Sequence, residues 1–237
     1  MTSSASSTSP ARTTRSAVGV LSGFLLLLAI AMPVGLAGCT STGIALRESF
    51  GIAKREQLVD RVRDARDAQD AARVQFKDAL EEFLAVTNQS GKPGELESRY
   101  RALQKEYERS ESRAKTVSTR IETVEVVASK LFAEWNAELS QYTDARLRAQ
   151  SERQLGDSKA RYDQLIGMMK SAEGKMKPVL DSLRNQVLFL KHNLNAQAIA
   201  GLQGTAVEVQ NDVGALIRDM EAAIAAADRF IDQMSGK

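Results

Sequence analysis

Two side chains in this 237-residue chain could do covalent or acid–base chemistry as the only residue of their kind: Cys39 and His192. A lone thiol cannot close an intrachain disulfide or build a thiolate metal site. His192 would have to be the base of any Ser-His-acid set, and nothing in the spacing marks a partner serine. Its plainer role is that of a hydrogen-bonding group near a helix end, where carbonyls lack partners. The acids Asp60, Asp64, Asp67 and Asp70 look clustered, but Arg61, Arg63 and Arg66 lie among them, which is the pattern of a solvated mixed-charge face. A phosphate-cradling loop ends in Gly-Lys-Ser/Thr between a strand and a helix. Here Gly174-Lys175 is followed by Met176, Gly167 lies too far upstream, and Gly91-Lys92-Pro93 fits no better. The expectation is no catalytic residue, no metal, no cofactor and no nucleotide. A hydrolase using His192 stands as a remote alternative.

The context of Cys39 is more specific. Residues Met1–Ser16 are rich in Ser and Thr, carry Arg12 and Arg15, and hold no acid. An apolar run through Phe24–Met32 follows, and small residues precede the cysteine, which together form a secretory signal. Leu36-Ala37-Gly38-Cys39 resembles the lipobox of bacterial lipoproteins. That resemblance implies cleavage before Cys39, diacylglycerol on its thiol and, as a rule, a further acyl chain on the new amino group. Each buried CH₂ contributes roughly 0.8 kcal/mol, so two or three chains anchor stably where one does not. The competing reading is an uncleaved transmembrane helix, since about twenty apolar residues just span a bilayer. Pro33 and Gly35 near the end of the run argue against it. Thr40 after the cysteine, where Asp would signal retention, resembles the signal for release to an outer membrane. The expected location is therefore a bacterial cell envelope, lipid-anchored, at the outer membrane facing the periplasm.

Removal of residues 1–38 takes Arg12 and Arg15 with it, and turns 32 basic against 30 acidic residues into an even balance. A general nucleic-acid binder needs a basic footprint, and none is visible. With Cys39 lipidated, the remainder must be stable through packing alone.

That remainder reads as helix throughout. Leu58, Val62, Ala65, Gln69, Ala72, Phe76, Ala79, Phe83 and Val86 alternate by four and three, the seam of a helix of roughly 40 residues. Turn residues in Thr87–Gly94 end it. The second seam is Leu96, Tyr100, Leu103, Tyr107, Ser110, Ala114, Val117, Ile121, Val124, Ala128, Leu131 and Trp135, and its heptad phase assigns the aromatics to packing. Thr143 or Asp144 can cap the third helix. Its seam is Leu155, Ser158, Tyr162, Leu165, Met169, Ala172, Met176, Val179, Leu183, Gln186 and Leu190. This seam keeps phase across Pro178, which predicts a kinked continuous helix rather than a break. Asn193 and Asn195 suggest a turn, and Gly201 and Gly204 a second turn or a ragged start. Ala206, Val209, Val213, Leu216, Met220, Ala223, Ala227, Phe230 and Met234 form the last seam.

Short connections make sequential helices antiparallel. The expected fold is all-α, an elongated antiparallel coiled-coil bundle of about four long helices. It is organised as a signal peptide over 1–38, a lipidated tether over 39–47 and a helical domain over 48–237. A closed bundle and a dimer of open hairpins use the same seams, so both stay open here. Folding the first hairpin near residue 91 puts Gln69 near the height of Ser110, where a buried polar pair would set register.

The body resembles a bacterial family catalogued as domain of unknown function 2959. The resemblance rests on Lys54–Val62, Asp64–Gln69, Gln75–Leu80, Ser151–Arg153, Ala160–Tyr162, Met176–Leu180 and, most specifically, Gln186–Ala196. It implies a helical, often lipobox-bearing envelope protein, and brings no reaction, ligand or catalytic residue. Within the last run, Val187–Leu190 is apolar on more than one face. In a bundle tethered at its first helix this stretch lies far from the anchor. Leu188 and Phe189, with His192, Asn193 and Asn195, then form a candidate surface for an envelope protein or the cell wall. The competing reading packs Leu188 and Phe189 beneath the turn. The functional expectation is a non-enzymatic spacer or scaffold held to the membrane through Cys39. An adaptor using the distal turn, or self-association, is the alternative.

Overall fold

The computed structural model describes residues 41–88 and 94–235, with side chains described from Lys54 onward. Residues 1–40 lie outside it, so the signal peptide, the Leu36–Cys39 motif and the lipidated Cys39 are expectations on which the structure is silent. Four helices follow in chain order: α1 Ser41–Thr87, α2 Glu95–Glu138, α3 Ala145–His192 and α4 Ala196–Ser235. A single 3₁₀ turn, Leu139–Gln141, follows α2. No strand occurs among the described residues. The backbone of residues 41–47, expected as a tether, is already helical. At 1.5 Å per residue each helix runs about 60–70 Å.

Each helix end has a local cause. Gly94 takes φ +87°, a conformation costly for residues with a Cβ, and so turns the chain into α2. Asp144 caps α3: its carboxylate accepts from the amides of Arg146 at 2.8 Å and Leu147 at 3.1 Å. Asn195 caps α4 by accepting from the Ala198 amide at 3.0 Å. Helix α4 then runs unbroken through Gly201 and Gly204, so of the two readings there, a second turn or a ragged start, the turn does not form. Helix α3 is continuous across Pro178. Pro178 and Gly174 both lie on the exposed face, so water can take the Gly174 carbonyl that the proline leaves without a donor.

Helix α1 packs on α2 and α4, and α3 packs on α2 and α4, while the diagonal pairs stay apart. The four helices therefore form a closed ring within one chain. Pairs across the grooves show the antiparallel register. Gln75 meets Glu106 and Glu82 meets Arg99, one heptad up α1 for one heptad down α2. Arg66 meets Asp228 and Arg73 meets Glu221 in the same manner between α1 and α4.

Every seam position read for α1 is buried. In α2 the buried set follows the seam, but Tyr100, Tyr107 and Trp135 are half-exposed at the groove edges and Phe132 is buried as well. In α3 the seam slips by one residue near its end: Val187 is buried and Gln186 only half so. Tyr162 also sits at the edge, its ring against the Phe132 ring edge-on, centroids 5.5 Å apart.

Gln69 and Ser110 do not pair. Ser110 donates back to the Glu106 carbonyl at 2.8 Å, the usual recourse of a serine inside a helix. Fully buried Gln69 reaches across the bundle and donates from Nε2 to the Met169 carbonyl of α3 at 3.4 Å. Its Oε1 has no partner. A buried acceptor without a donor costs about 1–3 kcal/mol. Gln69→Leu is therefore expected to raise stability by about 1 kcal/mol in chemical denaturation. Because the ring consumes all four seams, light scattering of Thr40–Lys237 is expected to give the mass of a monomer.

Candidate functional site

The α1 C-terminus, the α2 N-terminus and the α3–α4 turn meet at one end of the bundle. Gln203 near the start of α4 donates to the Thr87 carbonyl at the end of α1, at 2.8 Å. Here the apolar run splits by helical phase. Val187 and Leu190 enter the core, while Leu188 (44% exposed), Phe189 (41%) and Leu194 (41%) stay open to solvent. Phe189 leans on α4: its ring atoms lie 3.2 and 3.3 Å from where a Cβ on Gly201 would stand. So the expectation that the pair packs beneath the turn holds only for one side of Phe189.

The two asparagines singled out with this surface have structural tasks. Asn193 closes α3, its amide N–H bonding the Leu190 carbonyl and its side chain donating to the Phe189 carbonyl at 2.9 Å. Asn195 opens α4, as described. His192 is exposed in the last turn of α3, beside Lys191, where basic groups suit the helix's negative end. Among the described residues no hydroxyl or carboxylate bonds the His192 ring.

At the opposite end, Lys54 pairs with Glu134, and the Arg55 guanidinium lies 5.6 Å from the centre of the Trp135 ring. The Trp135 indole N–H donates to Ser151 Oγ at 2.9 Å, and the Tyr142 hydroxyl reaches the same oxygen at 3.4 Å. This cluster ties α1 to the α2–α3 turn. Residue spacing hid it, because Ser151 and Tyr142 lie off the seams read from sequence.

The remaining chemical candidates are occupied. Asp60, Asp64, Asp67 and Asp70 pair with Arg63, Arg61, Arg66 and Arg73 in turn, so the mixed-charge face is as expected. Among the described residues no group of three His, Cys, Asp or Glu side chains is placed to hold a metal ion. Gly174-Lys175 lies inside α3, with Lys175 bonded to Asp219 at 2.7 Å. Burial, reinforced by Glu125 and Asp163, pushes the Tyr162 hydroxyl up to about 12, which leaves it a neutral phenol at neutral pH. A shallow depression lined by Arg161, Gln164, Arg229 and Gln233 opens on the α3–α4 face. No described helix is long and apolar enough to cross a membrane.

A family model described as protein of unknown function (DUF2959) matches residues 44–234. No curated protein and no solved structure matches the chain.

The split between 188–189 and 190 is measurable. Leu188→Ser combined with Phe189→Ser is expected to leave a folded helical protein with a modest loss of stability, roughly 1–2 kcal/mol. Leu190→Ser, at a fully buried position, is expected to cost about 3 kcal/mol or more in the same denaturation experiment.

Proposed function

The chain belongs to the DUF2959 family, and from that premise we propose that it is a non-enzymatic envelope lipoprotein, a helical spacer or scaffold anchored through acyl chains on Cys39. The observation that supports this reading is the contact of Lys54 and Arg55 with Glu134 and Trp135. It sets the beginning of the described side chains of α1 at one end of the bundle and the Leu188–Leu194 surface at the other. A chain tethered a short way upstream of Lys54, at Cys39, would carry that surface away from the anchoring membrane by about the length of a helix, some 60–70 Å. The outer membrane facing the periplasm is the location this reading assigns, from the residue after the cysteine. The polar side chains support it too: ion pairs between neighbouring helices and caps at helix ends account for the prominent ones.

A second reading makes the protein an adaptor whose distal end grips an envelope component. It is favoured by one observation, the exposure of Leu188, Phe189 and Leu194 within one turn region. The two readings are compatible, since a spacer that ends in a docking surface is also an adaptor.

Acylation decides the first. Cells given an alkyne-bearing fatty acid are expected to label the full-length protein, and intact-mass measurement should find a chain beginning at Cys39 with its acyl groups. Cys39→Ala should abolish both the label and the processing. A membrane-bound product that retains residues 1–38 without label would sink the lipoprotein reading.

A further inference from the structure

Charge around the distal end differs from charge elsewhere on the bundle. Between Asp181 and Glu208 the chain has no acidic residue, whereas Arg184, Lys191 and His192 all fall there. No other gap between acids in residues 48–237 approaches it, and the next longest, from Glu82 to Glu95, contains Lys92 and spans the α1–α2 connection at the same end. Carboxylates on α1 and α2 border this end. Glu82 pairs with Arg99 and Glu97 with Arg101, while Glu95 sits in the first turn of α2, where it complements the helix N-terminus.

The apolar residues lie among these basic residues by helical spacing. Arg184, Lys191 and His192 stand four before, three after and four after Leu188, so they share its face of α3. Phe189 flanks that face toward α4, and exposed Leu194 follows in the turn. Elsewhere on the bundle many bases have an acid beside them, as in Asp60–Arg63, Glu125–Lys170 and Lys177–Asp181. The tip is thus an exposed apolar cluster beside Arg184 and Lys191, on a stretch of chain with no acid of its own between Asp181 and Glu208, bordered on α2 by Glu95 and Glu97. Apolar side chains that enter the headgroup boundary beside basic residues are how a peripheral surface binds an anionic bilayer.

We propose that the α3–α4 tip, Leu188, Phe189 and Leu194 with Arg184, Lys191 and His192, docks on an anionic phospholipid bilayer. The inference deepens the spacer reading and rests on it for the second surface: a chain anchored at Cys39 in one membrane would meet another lipid face end-on. The binding chemistry itself belongs to the tip and needs no acyl chain.

Vesicle flotation of Thr40–Lys237, the compact unit that holds all of the described core, tests this. The unit is expected to float with phosphatidylglycerol vesicles roughly tenfold better than with phosphatidylcholine vesicles, and to release at about 0.5 M salt. Leu188→Ser with Phe189→Ser, and separately Lys191→Glu, are expected to lower that partition about fivefold or more while circular dichroism stays helical. Val74→Ser with Val126→Ser, at exposed apolar sites away from the tip, should change little. Equal partition into both vesicle types overturns the proposal, as do tip variants that float like the parent. Retention on isolated cell-wall sacculi without flotation overturns it in favour of the wall. The unit carries no acyl group, so failure here leaves acylation of Cys39 standing, and failed acylation leaves the vesicle result standing.

Discussion

Four apolar stripes, each repeating at four and three residues, must be taken out of water, and each is wide enough to touch two neighbours. That constraint governs the rest of the structure. A stripe on α1 that packs on both α2 and α4 forces α3 to close the ring, since otherwise α2 and α4 would each keep one flank bare. Alanines at 65, 72, 79, 128, 172, 223 and 227 are all buried, and such small side chains let helix axes come close. Larger side chains such as Phe76, Phe83, Leu103 and Met220 fill the intervening layers. With all four stripes facing inward, what remains outside is a charged surface and the two ends.

The polar side chains are arranged around that requirement. Cross-helix pairs such as Arg66–Asp228 and Lys170–Glu125 lie at the groove edges, where water weakens them; exposed pairs of this kind contribute roughly 0–1 kcal/mol. They set register more than stability. Gln69 is the exception, a fully buried amide with one hydrogen bond to a backbone carbonyl and an unpartnered oxygen. Its cost makes it a place in the core where an apolar residue would pack with less penalty. The Trp135–Ser151–Tyr142 cluster and the Asp144 cap hold the opposite turn, so both ends are tied while the middle is held by the stripes.

Much of this was legible from residue order. Every α1 position that heptad phase named is buried, though Val59 beside the seam is buried too; Asp144 was one of two caps read for α3, and Asn193 and Asn195 were read as a turn. Phase failed where a stripe widens into a groove. Tyr100, Tyr107, Trp135 and Tyr162 have the right phase, but their bulk and polar tips keep them at the edge. Near the end of α3, Val187 replaces Gln186 in the core. At the candidate site, the apolar excess of Val187–Leu190 was visible in sequence. Its division into two buried and two exposed residues was not, because that depends on where α4 lies.

By itself the sequence determined the all-α class, the number of helices, most of the buried set and the even charge balance with its acid-free stretch, since these follow from periodicity and composition. It also held the Leu36–Cys39 motif, which is a matter of residue types in order. Tertiary structure decided whether the stripes close within one chain, because an open hairpin pair and a closed ring bury the same residues and differ only in which helix covers them. It also decided that Gln69 meets the Met169 carbonyl and not Ser110, a choice made by the height and rotation of α3, which no local spacing records.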